Sequence, residues 1–177
     1  LEANPQEDPS RRGDEFFPVD GESYGADILL RQFESGPFSG WVSYTYAVAA
    51  RHLDGVNYFP GHDRRHDVNV VASWRLSKYL LGLRLGYATG TPYTDIVGQI
   101  VRRVYDPGLN AYGTRGGGTQ TQFVGGPRNG ARLPRTQRLD LDVTRRYRIR
   151  GATIAPYLSV VNAYNAKNVF LYVFDYG

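Results

Sequence analysis

Three consecutive segments decide the fold: RLDLDVTRRYRI (residues 138–149), ATIAPYLSVVNAYN (152–165) and NVFLYVFDY (168–176). Each alternates apolar with polar or small residues over about ten positions, and only tight turns separate them. A strand that crosses a bilayer needs about 9–11 residues of this period, whereas a strand in a water-soluble domain averages about 5–6. In the first segment Leu139, Leu141, Val143, Tyr147 and Ile149 share one face, opposed by Asp140, Asp142, Thr144, Arg146 and Arg148.

The same pattern extends towards the N-terminus. Strands are predicted over 25–34, 40–50, 66–76, 79–89, 138–149 and 152–164, with a seventh from 169 onward. In 79–89 the row Leu81, Leu83, Leu85, Tyr87 is backed by Gly82, Arg84, Gly86, Ala88. In 40–50 Val42, Tyr44, Tyr46 and Val48 oppose Ser43, Thr45 and Ala47. Large apolar side chains on one face, with small or charged ones on the other, suit lipid outside and a crowded polar interior. Pro156 cannot donate a ladder hydrogen bond, which predicts a bulge or break in its strand. Arg145 interrupts the apolar row and is tolerable only near a membrane interface, where it costs about 0–1 kcal/mol. Short turns (35–39, 77–78, 150–151) alternate with long connections (51–65, 90–136, 164–168), so the short set is expected to be periplasmic and the long set extracellular. Residues 1–22, polar and Pro-rich, read as a loop or tail on the outside. Residues 90–136 read as a long loop rich in Gly and Pro.

Bulk composition agrees. The chain has 177 residues with 21 Gly, 14 Tyr and 8 Phe, and no stretch approaches the roughly 20 apolar residues of a membrane helix. With no Cys, disulfides and thiolate metal sites are excluded. Net charge is +4, but the basic residues are dispersed. Their one cluster, Arg145, Arg146, Arg148 and Arg150, lies at a strand end, so a nucleic-acid partner is not expected.

The ordered set of pieces resembles the C-terminal part of the β-barrel of TonB-dependent outer-membrane receptors. Those pieces are GADILLRQF, GPFSGWVSYTYAVAAR, HDRRHDVNVVASWRL, LGLRLGYATGTPYT, RLPRTQRLDLDVTRRYRI and YLSVVNAYNAKNVFLYVFDY, spanning most of residues 23–176. The G-x-P-Y-T after one strand and the V-x-N-x-x-N after another carry most of the likeness. The resemblance implies an all-β, antiparallel transmembrane β-barrel segment of about seven to eight strands over 23–177, with long extracellular loops, in the bacterial outer membrane. It implies uptake of a scarce, bulky substrate: a siderophore, haem, cobalamin, oligosaccharide or peptide. The partners it implies are outer-membrane lipid, the substrate, and TonB acting through a plug domain that this chain does not contain. The chain is therefore expected to be one piece of a larger receptor, unable to transport alone and prone to aggregate without its missing strands.

Lumen-facing candidates are Ser43, Thr45, Arg84, Asp140, Asp142 and Arg146. Asp140 and Asp142 could in principle perform acid–base chemistry, but the arginines around them favour a salt-bridge ladder on the lumen face. His62 and His66 have a metal-like spacing, yet the glycine and strand around them favour an ordinary loop-to-strand junction. Gly116–Gly118 lacks the Lys-Ser/Thr of a phosphate loop. Neither a catalytic centre, a cofactor nor a metal is expected. Two other readings stay open: a small self-contained outer-membrane barrel with a structural or adhesive role, its eighth strand hidden in 95–125, and a soluble ligand-binding barrel with the apolar rows inward.

Overall fold

The computed structural model describes residues 2–3, 16–17, 19–34, 36–53, 55–102, 104–106, 110–113 and 120–173. Among these the protein is all-β, without a helix, and every strand pair is antiparallel. Seven strands form the main sheet: β1 (Asp20–Gln32), β2 (Phe38–Leu53), β3 (Val56–Tyr58), β4 (His66–Leu76), β5 (Tyr79–Ala88), β6 (Thr136–Arg145) and β7 (Tyr157–Val160). Their order is β7-β6-β5-β4-β2-β1, with β3 folded back on the far end of β2. The long strands thus form an up-and-down meander. Among the described residues no sheet closes into a barrel, and β1 and β7 are its open edges.

Turn chemistry sets the register. Leu76 pairs with Tyr79, leaving Ser77 and Lys78 as a two-residue loop in which Ser77 has φ 55°, the left-handed start that matches strand twist. β1 and β2 are longer than the alternation predicted. Asp20 pairs with His52, so part of the expected N-terminal tail is strand.

Residues 90–136 are not a structureless loop. The β5–β6 hairpin continues outward as a ribbon: Pro92–Tyr93 pairs with Ala131–Arg132, Ile96–Arg102 with Gln120–Gly125, and Val104–Asp106 with Ala111–Gly113. The candidate eighth strand within 95–125, IVGQIVRRVY (96–105), therefore pairs within this ribbon where it is described, and not with the sheet. Gly116–Gly118 lies outside the described residues.

The C-terminal third departs most from its alternation. Pro156 does break the strand: Ala152–Ile154 pairs back on Tyr147–Ile149 as a separate hairpin, turning at Arg150 and Gly151 with φ 48° and 83°, and β7 resumes for four residues. After β7 the expected seventh strand is absent over 169–173. Side chains take over there. Asn162, at φ 55°, brackets Ala166 by accepting from its N–H at 2.9 Å and donating to its carbonyl at 3.1 Å. Asn168 does the same for Gln137 on the free edge of β6, at 2.9 and 3.0 Å. These amides satisfy edge groups that a strand would otherwise pair.

The sheet is one layer thick. Among the described residues the buried apolar side chains are Val48, Tyr58, Ala88 and the prolines Pro60 and Pro92, all at the long-connection end. Elsewhere large side chains stand open on either face, as at Leu29 (64 % exposed) and Leu30 (68 %).

Gly90 sits where ribbon and sheet meet, and a Cβ there would overlap the Leu133 carbonyl oxygen. Gly90→Ala is expected to lower stability by about 1–3 kcal/mol, read as a shifted denaturant midpoint at constant slope. Gly86→Ala, whose Cβ would find only Asn69 Oδ1 at 3.8 Å, should change stability by no more than about 0.5 kcal/mol.

Candidate functional site

Cross-strand register sorts the sheet into two chemically different faces. One carries the rows Leu30–Val42–Val70–Leu85–Leu139 and Phe38–Trp74–Leu81–Val143–Leu158. Between them runs Gln32–Gly40–Ala72–Leu83–Leu141–Val160. The opposite face carries Asp27–Thr45–Asp67–Ala88–Thr136, Leu29–Ser43–Asn69–Gly86–Arg138 and Arg31–Trp41–Val71–Arg84–Asp140.

Five of the six candidates, Ser43, Thr45, Arg84, Asp140 and Asp142, share this polar face. Arg146 does not join them. It lies one residue beyond the end of β6, outside the ladder, where its N–H donates to the Lys78 carbonyl at 3.3 Å. The expected ladder with Arg146 and Arg148 is therefore replaced by a local pair. Arg138 Nε donates to both Asp140 oxygens at 2.8 and 2.9 Å, and the Asn162 N–H donates to Asp140 Oδ1 at 2.9 Å. Arg84 is the register partner of Asp140. Thr45 donates to Asp27 at 2.5 Å, and Asn69 to Asp67 at 2.6 Å. Asp142 folds over Gly82, where a Cβ would intrude on its carboxylate.

Arg145 ends the apolar face at the short-turn rim. Its guanidinium donates to Tyr79 Oη at 3.1 Å and lies over the Tyr79 and Tyr147 rings at 5.1 and 4.6 Å, a cation–π arrangement that suits an interface.

The most constrained polar group was not among the candidates. Asp63 is 2 % exposed and accepts from the Ala49 N–H at 2.7 Å, from Arg65 Nε at 2.9 Å and from Arg132 Nη2. Arg132 Nη1 donates to the Asp63 and Gly90 carbonyls at 3.2 and 3.1 Å. Both guanidiniums lie near the Phe59 ring, at 4.5 and 5.5 Å. Asn129 reaches the Phe59 carbonyl at 2.7 Å. One carboxylate thus joins β2, the connection after β3 and the base of the ribbon. Burial raises the Asp63 pKa, but the bonds from Ala49, Arg132 and Arg65 outweigh burial and hold it below the usual 3.8. The flanking histidines stay apart: His62 is exposed, and His66 Nδ1 bonds Tyr44 Oη at 2.9 Å with the Tyr46 ring 5.3 Å away. Among the described residues no group of three His, Asp or Glu is arranged to hold a metal.

Compared with protein-family models, curated proteins and solved structures, the chain matches none.

Asp63→Asn keeps the size and removes the charge. It is expected to cost up to about 3 kcal/mol, less than a fully buried pair because both arginines keep partial access to water. The readout is faster tryptic cleavage at Arg64, Arg65 and Arg132, mapped by mass spectrometry. A depressed folded pKa places the stabilisation above the ordinary 3.8 and removes it as pH falls through the lower folded value. Hydrogen exchange at the Ala49 amide, corrected for intrinsic rates, should thus stay protected down to about pH 5 and accelerate only on stronger acidification.

Proposed function

We propose that this sheet is part of the wall of an outer-membrane β-barrel of the TonB-dependent transporter type, taking up a scarce, bulky substrate. The observation that carries the reading is the two-faced single layer. A face dominated by Leu, Val, Ile and aromatic residues runs over the meander, and among the described residues no protein layer covers it. In water a contiguous exposed apolar face of this kind marks a surface that something must cover. In a bilayer it has its natural solvent.

Dimensions support this. β5, with ten residues, is roughly 34 Å long and spans about 24 Å at a tilt near 45°, close to the roughly 25 Å apolar band of membrane barrels. Trp74, Tyr79 and Phe38 lie at the short-turn end of the apolar face and Tyr44, Tyr46 and Tyr87 at the other, where interfacial aromatic residues belong. Further strands beyond β1 and β7 would complete the ladders, because lipid tolerates no open edge. Ser43, Thr45, Arg84, Asp140 and Asp142 then line the lumen, and the ribbon over 92–132 with the connection 55–65 forms the extracellular mouth. TonB would act through a plug supplied outside this chain.

The chain has no native Cys, so single-cysteine variants can carry a nitroxide without background. Scanning positions 81 to 86 in the protein in outer-membrane vesicles should give accessibility to oxygen at 81, 83 and 85, and to a polar nickel chelate at 82, 84 and 86. A flat profile, or the opposite phase, rules out lipid contact by the leucine row.

A further inference from the structure

A second feature of the polar face is an open pocket of about 220 Å³ at its long-connection end, lined by Arg64, Asp67, Asn69, Gly86, Arg138 and Asn168 among others. That is room for several waters at about 30 Å³ each. Four separate parts of the chain converge on it: the connection before β4, β4 and β5, β6, and the segment after β7. Two guanidiniums border it with donors to spare. Arg138 spends its Nε on Asp140, and among the described residues its terminal amino groups make no hydrogen bond. Among the described residues the Arg64 side chain makes one ion pair, with Asp67 at 3.7 Å, longer than a hydrogen bond. Asp67 is itself held by the Asn69 amide, and Asp140 by Arg138 and the Asn162 N–H. Asp140 is therefore paired by a cation and Asp67 is held by an uncharged amide with Arg64 beside it, while among the described residues both cations keep N–H groups without a hydrogen-bond acceptor. Asn168, clamped on the Gln137 backbone, closes one side. Gly86 lies in the floor, and nothing in the packing requires a glycine there: a Cβ would stand 3.8 Å from Asn69 Oδ1.

We propose that this pocket binds the oxyanion group, carboxylate or phosphate, of a small molecule, with Arg64 and Arg138 as its donors. Planar guanidinium forks match either oxyanion in charge and geometry. The proposal deepens the transport reading by giving the cargo, or one arm of it, a chemical class. It also fails separately: loss of the nitroxide alternation removes the membrane assignment and leaves the pocket, and loss of anion binding does the reverse.

The test is calorimetric titration of the intact protein in detergent with inorganic phosphate and, separately, acetate, at fixed ionic strength. At least one should bind saturably, and which one does distinguishes the two sources of the group. Arg64→Gln, which alters an exposed side chain, should weaken binding about tenfold or more. Gly86→Val should abolish it by filling the floor. Arg75→Gln, on the same face at the short-turn end, should bind as the parent does. Circular dichroism checks that each variant keeps its strand content, and if Gly86→Val loses it, Arg64→Gln alone decides. The proposal is overturned if neither anion saturates, or if Arg64→Gln binds as tightly as the parent.

Discussion

Everything in this protein depends on the cross-strand register of β2, β4, β5 and β6. Side chains alternate with a period of two, so a slip of one residue in any ladder would carry that strand's apolar row to the polar face. No packed core corrects such an error, because the sheet is a single layer. The two-residue turn at Ser77 and Lys78 pins one ladder. The matched rows pin the rest: a slip would set Leu83 and Leu85 among Asn69, Val71, Asp140 and Asp142. Register thus turns a local alternation into an apolar face, and that face is what the proposed membrane wall rests on.

At the long-connection end a different interaction takes over. There the chain leaves the regular ladder, and Asp63 gathers what the ladder no longer organises. Its carboxylate caps the Ala49 N–H and holds Arg65 and Arg132 beside Phe59, tying the connection after β3 to the ribbon base. The acidic group is buried because it is paired. Removing its charge leaves two guanidiniums without their counter-charge, which costs more than the pair contributes when intact. The ribbon itself is the β5–β6 hairpin carried outward.

Much of this was legible in the residues. Leu81, Leu83 and Leu85 against Gly82, Arg84 and Gly86 announce a two-faced strand, and Pro156 marks the break in the segment 152–164. The G-x-P-Y-T motif, recognisable only as a likeness, proves to have steric content: Gly90 passes under the Leu133 carbonyl and Pro92 is buried. Other features were hidden for physical reasons. The ribbon pairs residues 96–102 with 120–125 through a Gly-rich interval, and pairing at that separation leaves no local period. The stretch from 169 alternates like a strand, yet over 169–173 it forms none, and before it Asn162 and Asn168 satisfy backbone groups with their side chains. Asp63 is one acid in a polar loop, and two of its partners, Ala49 and Arg132, are far from it in sequence. Arg146 keeps the right parity but falls past the end of β6, where parity no longer assigns a face.

The two tryptophans offer the most direct test, since they stand on opposite faces: Trp74 in the apolar row with Phe38 and Leu81, Trp41 in the polar row with Arg31 and Arg84. Replacing each in turn by Phe leaves a single emitter. Its fluorescence can then be followed with the protein reconstituted in phospholipid whose acyl chains carry bromine, a contact quencher. A lipid-facing apolar row requires strong quenching of Trp74 and little of Trp41. Equal quenching of the two, or quenching of Trp41 alone, would contradict the assignment of the faces and with it the membrane wall.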